Sequence, residues 1–316
     1  MCVSTLVKAE FTSRPKPSQC PICAFSWSRR SNSSGLPRAR AGGTRSRRPF
    51  RSGETVGVTG STLLHLLPLK TFHADRNSPV RSASLETEGF VHCSPDERTT
   101  LAVANTLYRE TTEPMVALEL DPAKLSAPVR WEEPNPAPPA GTPADALFPH
   151  VYGPLEREAV IGVRYARRDA AGRYLSLETR SRTAEEFDLL PHPEGGWYRQ
   201  TWAGPVRIEH NGGTRSSATM IYFLLPPGQL SAWHTVASDE LWLWHRGGPL
   251  TLCLGGDGPR PVDEPERLVL GAGAGQAPQA VVPAGTWQCA QAAATAETLV
   301  SCVVSPGFDF ADFRVL

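Results

Sequence analysis

The stretch SAWHTVASDELWLWHRGG, residues 231–248, sets two histidines and two adjacent acids among tryptophans and an alternating apolar run. In a strand every second residue faces the same way, so Glu240, Trp242 and Trp244 share one face while His245 points to the other. His234 precedes the turn Ala237-Ser238-Asp239 and is placed to meet Glu240 across a hairpin, bringing a basic nitrogen to a carboxylate. The same texture continues on both sides. TMIYFLLPPG, PLTLCLGG, RLVLGAG, QAVVPAG and TLVSCVVSPG are short apolar runs at regular intervals, punctuated by Gly and Pro turns. From about Ala184 to the end this is the pattern of an all-β sandwich or barrel.

Upstream the pattern changes. Residues 62–166 mix strand-like runs (TLLHLLPL, MVALELD, EAVIGVRYA) with DERTTLAVANTLYRE, whose Leu101, Ala104, Leu107 and Tyr108 have helical spacing. A small α+β domain is predicted there, interrupted at 132–146 by a proline-dense loop that allows neither helix nor ladder. The polar segment 167–183 reads as a linker to the second domain, 184–316. Residues 1–58 are rich in Arg, Ser, Gly and Pro without apolar periodicity and read as a disordered leader. The leader is open to two readings, an organellar transit peptide or a leader foreign to the native protein.

The chain of 316 residues is long enough for about two domains. Its formal net charge of zero is uneven, because residues 1–54 carry 11 Lys/Arg against Glu10 and Glu54, which leaves a body rich in acid. A body of that sign argues against nucleic-acid binding by the folded part. No apolar run is long enough to span a membrane. Seven scattered cysteines lack the even, dense spacing of a disulfide scaffold and suit a reducing cytoplasm. The C-x-x-C at 20–23 has no second ligand pair nearby and reads as a loose thiol pair.

Gly228, five residues, His234, one residue, Val236, three residues, Glu240, six residues and Gly247 resemble the first cupin motif, with Val236 where the second histidine usually stands. Pro283-Ala284-Gly285 followed by Gln288 resembles the second motif, with Gln288 in place of its histidine. More narrowly, LLPHPEGGWYRQTW, ATMIYFLLPPGQLSAWH, SDELWLWHRGGPL, VVPAGTWQCA and VSPGFDFADF resemble the cupin family called domain of unknown function 985, over 187–316. That resemblance implies a double-stranded β-helix (cupin) barrel, often dimeric, with its ligand cavity inside. In the N-terminal unit SLETEGFVHCS, AVANTLY, VRWEE and LFPHVYGPL resemble domain of unknown function 952. This second resemblance implies an ADP-ribosyltransferase-like α+β fold whose relatives grip NAD in a cleft.

Three readings of His234 and Glu240 follow: a metal centre, a metal-free pocket that binds or deprotonates a small polar guest, and a structural hydrogen bond. A catalytic metal needs about three protein ligands, and Val236 cannot coordinate while Gln288 offers only an amide oxygen, so metal is disfavoured. In the metal-free reading His234 acts as base with Glu240 as partner, as in an isomerase or epimerase acting on a sugar- or nucleotide-like metabolite. Tyr222, Trp242 and Trp287 are expected to wall the pocket, with Glu194, Gln276, Gln279, Gln288 and Asp309 as further ligand-binding positions. The alternative is a non-catalytic module that senses the metabolite. In the N-terminal domain His65, His92, Ser94, Glu132, His150 and Tyr152 are the polar positions of the resembling motifs. For chemistry on NAD, His65 and His92 would hold ribose hydroxyls and Glu132 would stabilise the reacting centre; ligand binding without turnover and a scaffold role are the alternatives. The partners expected are a small molecule and a second copy of the chain through the cupin domain.

Overall fold

The computed structural model describes residues 62–134, 139–142 and 145–316. The predicted leader at 1–58 and the C-x-x-C at 20–23 lie outside them. The first domain opens with β1 (Leu63–Pro68), α1 (Leu69–Ala74), α2 (Ala83–Thr87), β2 (Val91–His92) and α3 (Glu97–Leu107). It continues with β3 (Met115–Leu120), β4 (Val129–Glu132), β5 (Phe148–Val151), β6 (Val160–Arg168) and β7 (Tyr174–Glu178). α3 begins where Asp96 accepts a hydrogen bond from the Thr99 N–H at 2.7 Å, which satisfies one of the free donors of the first turn.

Four strands form an antiparallel sheet in the order β1-β3-β6-β7, and β2-β5-β4 form a second, smaller one. Alternation divides the larger sheet. Leu64, Met115, Ala117 and Ala166 bury against Ala104 of α3. Leu63, Leu67, Val116, Leu118 and Tyr165 face the opposite way, toward Val91 and Val151 of the smaller sheet.

The segment 167–183 is not a linker: it holds the end of β6, the edge strand β7 and the start of α4 (Arg182–Glu186). Its apolar residues Tyr174 and Leu177 both bury although they lie three apart. The register against β6 shifts between Arg167 and Arg168, and the irregularity breaks the two-residue period that marks a strand.

The second domain contains β8 (Leu190–Pro191), β9 (Trp197–Ala203), β10 (Arg207–His210), β11 (Gly213–Ser216), β12 (Thr219–Leu225), β13 (His234–Val236) and β14 (Asp239–Gly247). Then follow β15 (Leu250–Leu254), β16 (Glu266–Leu270), β17 (Gln279–Val282), β18 (Gln288–Ala292), β19 (Thr298–Ser305) and β20 (Phe313–Val315). They build a six-stranded sheet, β17-β14-β19-β12-β9-β8, and a five-stranded sheet, β16-β15-β18-β13-β20, with β10 and β11 as a separate hairpin. Inward residues of both sheets, among them Phe223, Leu225, Trp242, Leu252, Leu270, Ala290 and Val300, share one core. This is the double-stranded barrel that the cupin resemblance implies.

Part of the outer face of the six-stranded sheet, at β9, β12 and β19, is also buried. Trp197, Leu224 and Leu299 belong to the same apolar cluster as Leu63, Leu118 and Tyr165 of the first domain. Polar contacts reinforce the junction, with the Ser181 hydroxyl donating to Glu297 at 2.9 Å and Arg167 donating from β6 to the His192 carbonyl. No helix among the described residues is long and apolar enough to cross a membrane.

Candidate functional site

The barrel encloses a cavity of about 300 Å³. β9 and β12 contribute Tyr198, Ile221 and Phe223, β13 contributes His234, β14 Glu240, and β19 Cys302 and Val304. Phe308, Phe310 and Phe313 of the C-terminal segment close one side, and the turn after β8 adds His192 and Glu194.

That turn sets the geometry. Gly195 and Gly196 take positive φ of 109° and 67°, and a Cβ on Gly196 would lie 2.7 Å from the Leu224 carbonyl, so the close approach needs glycine. The Ala232 N–H donates to the Glu194 carbonyl at 2.7 Å, which lays the turn beside the chain entering β13. As a result Glu194 Oε2 stands 2.9 Å from His234 Nδ1, and the Ala232 carbonyl lies 3.0 Å from the same nitrogen. Both contacts are made on Nδ1, which leaves Nε2 as the ring nitrogen that neither Glu194 nor Ala232 engages.

The electrostatics are asymmetric. Burial opposes charge on His234, but Glu194 outweighs it and lifts the imidazole from its ordinary 6.5 to about 9. Burial likewise pushes the Glu194 carboxyl up, yet His234 reverses the effect and holds it below its ordinary value. These two are an ion pair at neutral pH. Glu240 behaves oppositely: burial raises it, and the positive charge of His234 recovers only part of the shift. It accepts from Gln288 Nε2 at 2.5 Å, and the Cys302 thiol also donates to it. His192 is driven down to about 4 by burial. Although its Nδ1 is 3.8 Å from Glu194 Oε1, it is neutral and accepts from the Glu194 N–H at 3.4 Å. The cavity therefore pairs an imidazolium and a carboxylate with a second carboxyl of raised proton affinity.

The sequence-derived set divides here. His234 and Glu240 open on one cavity, but the direct partner of His234 is Glu194. Gln288 reaches Glu240 from outside the cavity lining, and its oxygen accepts from Trp242 Nε1 at 2.9 Å. Trp242 packs in the core beyond it. Tyr222 is on the outer face, its ring 5.0 Å from Phe187, because the alternation of β12 gives the cavity to Ile221 and Phe223 instead. Trp287 is buried away from the cavity with Nε1 donating to the Gly258 carbonyl at 2.9 Å. Gln276 accepts from the Gly273 N–H within its own loop, and Gln279 is an exposed residue of β17. Asp309 caps the turn at Ala311 rather than entering the cavity. His245 is on the face opposite Glu240 and meets the Ser301 hydroxyl at 2.6 Å.

Among the described residues no group of three or more His, Cys, Asp or Glu is arranged to hold a metal ion. The donor chemistry agrees, because Val236 has no ligating atom and both ends of the Gln288 amide already serve Glu240 and Trp242.

Residues 181–316 match the family described as Cupin superfamily (DUF985), and residues 67–163 match Protein of unknown function (DUF952). The second domain, rather than the whole chain, is the part that matches the DUF985 cupin family. An uncharacterised protein of Saccharomyces cerevisiae, YML079W, is 29% identical over 149 residues, which is 42% of this chain and 72% of that protein. A solved hypothetical protein from Leishmania major is 34% identical, covers 42% of this chain and 84% of its own, and superposes with a TM-score of 0.39. Protein SO0799 from Shewanella oneidensis is 33% identical over 42% of this chain and 82% of its own, with a TM-score of 0.38.

Outside the cupin domain, the DUF952 unit gathers most of its own candidates. Glu132 accepts from His150 Nδ1 at 2.7 Å and from the Tyr152 hydroxyl at 2.9 Å. Burial alone would raise this carboxyl, but the two donors hold it below its ordinary value. His150 is lowered by burial, so this contact is a hydrogen bond from a neutral ring rather than an ion pair. Its ring stacks on Phe90 at 4.2 Å and meets His92 edge-on at 4.9 Å. His65 donates from Nδ1 to the His92 carbonyl at 2.8 Å, burial lowers it to about 4, and its buried Nε2 has no partner. Ser94 stands apart, joined to Leu64 through the backbone.

Proposed function

We propose that the cupin cavity binds a small, uncharged, sugar-like metabolite and moves a proton on it, as an isomerase or epimerase does. The Glu194–His234 contact of 2.9 Å, within a cavity that also holds Glu240, carries this reading. It reverses the roles suggested by the sequence. An imidazole lifted to about 9 is already protonated at neutral pH, so His234 is the acid and Glu240, with its raised proton affinity, is the base. Glu240 takes a proton from carbon beside a carbonyl while His234 Nε2–H donates to the oxygen on which charge develops. Return of the proton to the carbon completes the exchange.

The cavity chemistry favours a sugar over a nucleotide. Its lining includes no Lys or Arg among the described residues, and the one cation present is already matched by Glu194. Aromatic faces such as Tyr198 and Phe313 suit the apolar face of a sugar ring. The reading includes self-association through the cupin domain, where the edge strands β16 and β17 expose Val269 and Val281. Sedimentation of the intact protein tests that part.

Proton exchange is measured in D2O by NMR with a panel of neutral aldoses and ketoses. Deuterium should enter the carbon beside the carbonyl with the wild-type protein and not with Glu240→Gln. A thermal shift in the same panel reports binding separately, since ligand at 100 times its Kd stabilises by about 2.7 kcal/mol. A shift without exchange makes the domain a metabolite-sensing module. The absence of both shift and exchange removes the reading.

The Glu132–His150–Tyr152 cluster supports a second, separate reading of the DUF952 domain as an ADP-ribosyltransferase-like unit acting on NAD. There the buried, unpartnered His65 Nε2 and the ionised Glu132 would meet ribose hydroxyls. Calorimetric titration with NAD and chromatography for released nicotinamide test it; no heat and no nicotinamide remove it.

A further inference from the structure

Cys253 of β15 and Cys289 of β18 stand directly opposite each other in an antiparallel ladder. Their neighbours show which way they point. Leu252 and Ala290 face the barrel core, so the alternation puts both cysteines on the outer face of the five-stranded sheet. On the far side of β15, Arg267 of β16 is the register partner of Cys253. An arginine, a half-buried thiol and a buried thiol thus lie in one row across three strands.

The spacing suits a covalent link. In the same register the Ala293 N–H donates to the Pro249 carbonyl at 3.1 Å and the Gly255 N–H to the Trp287 carbonyl at 2.7 Å. Counting by twos between those pairs makes the cysteine pair one of the hydrogen-bonded kind, whose Cα atoms lie about 5.5 Å apart. That Cα separation is within the common range for disulfides, while the Cβ atoms of such a pair, about 5.5 Å apart, must draw together by about 1 Å to reach the span a disulfide needs.

The two thiols also differ in character. A hydrogen bond from the Cys289 thiol lowers the Cys253 thiol, and Arg267 adds to this against the opposing effect of burial. Cys289 is raised in return. By contrast, burial drives Cys93 up to about 12, and burial together with Glu240 raises Cys302. Among the described cysteines, Cys253 is the one whose surroundings favour the thiolate, which is the reactive form.

We infer that Cys253 and Cys289 are a redox-active dithiol, oxidised by a hydroperoxide to a disulfide that joins β15 to β18. The Cys253 thiolate attacks one oxygen of hydrogen peroxide and breaks the O–O bond, and the leaving hydroxide takes up a proton to become water. Cys253 is then a sulfenic acid. The Cys289 sulfur attacks it, forming the S–S bond, and the Cys289 proton leaves with the sulfenic hydroxyl as a second water. Two thiols are oxidised and one peroxide is reduced to two waters. The new bond lies one residue from Gln288, the donor to Glu240.

The intact protein is treated with one equivalent of hydrogen peroxide and digested with trypsin, which cuts at Arg267 between the two cysteines. The expected product is a linked pair of peptides two hydrogens lighter than their sum and restored by a thiol reductant. Cys289→Ser should stop at the sulfenic acid, captured on Cys253 by dimedone, and Cys253→Ser should yield neither product. Arg267→Gln should slow the reaction near neutral pH, by up to about tenfold for each unit that the thiol pKa rises. Near-ultraviolet circular dichroism checks that each variant is folded. The inference fails if the peroxide is consumed without the linked peptides, or if dimedone labels Cys253 no more than Cys93 and Cys302.

Discussion

Replacing Glu194 by glutamine keeps the shape of the side chain and removes the charge that holds His234 as a cation. The wild-type imidazole is lifted from 6.5 to about 9, a difference of 2.5 units, which at ~1.4 kcal/mol per unit corresponds to about 3 kcal/mol. The same molecule shows what burial does without such a carboxylate, since His65 is lowered to about 4. In Glu194→Gln, His234 should therefore titrate below 6.5, a downward shift of at least 2.5 units from the wild-type value. Carbon-13 NMR of the eight histidines reads this directly. The stability consequence has a definite sign. A folded-state pKa above the unfolded one contributes stability that is complete below 6.5 and is lost as pH rises through about 9. Urea unfolding of the wild type should weaken across that window by up to about 3 kcal/mol, and the decline should vanish in the variant. A wild-type His234 that titrates at or below 6.5, or a variant that keeps a histidine near 9, would refute the ion pair.

Arg167→Ala should cost about 3–5 kcal/mol in urea unfolding, because it strands Glu178, bonded to Arg167 by two contacts of 2.5 Å, and frees the His192 carbonyl. Arg167→Lys should recover only part of this, since an ammonium cannot reproduce the two-pronged contact. At acid pH the signs reverse from those of His234. His65 and His192 are both lowered to about 4, so each contributes stability present above 6.5 and lost as pH falls through 4, and His192→Gln should flatten the acid limb of a stability–pH profile. Leu224→Ala removes a fully buried side chain from the junction of the domains and should cost about 2–5 kcal/mol in a single shared unfolding transition. Two calorimetric transitions, of which only one moves, would contradict the shared core.

The strands of the cupin domain were legible because each is a short apolar run between Gly or Pro turns, and the runs containing Met220, Leu252, Val281 and Val300 became β12, β15, β17 and β19. α3 was legible through its helical spacing. β7 was not, because its irregular pairing puts Tyr174 and Leu177, three apart, into the same core. The site was legible in composition and illegible in pairing. His234 and Glu240 were found from their spacing, but Glu194 is 40 residues before His234 in the chain, and only the folded turn at Gly195 and Gly196 brings it to 2.9 Å. Period-two alternation sorts Ile221 and Phe223 from Tyr222 and Leu224 without saying which set faces the cavity. With both faces apolar, either assignment satisfied the pattern.

That double-sided burial also decides how the two domains relate. Tyr198 and Phe223 face the cavity, while their chain neighbours Trp197 and Leu224 face the DUF952 domain, so one sheet is the wall of two compartments. Burying Trp197, Leu224 and Leu299 there contributes about 1.5–3 kcal/mol each, or roughly 5–9 kcal/mol together. A whole domain is stable by about 5–15 kcal/mol, so the contribution is comparable with everything that keeps the barrel folded. Cutting the chain between the domains would expose that apolar face and release the His192 carbonyl from Arg167, one turn from Glu194. The cavity of this protein is consequently a property of the joined domains, and a barrel expressed alone should lose stability and the elevated His234 pKa together.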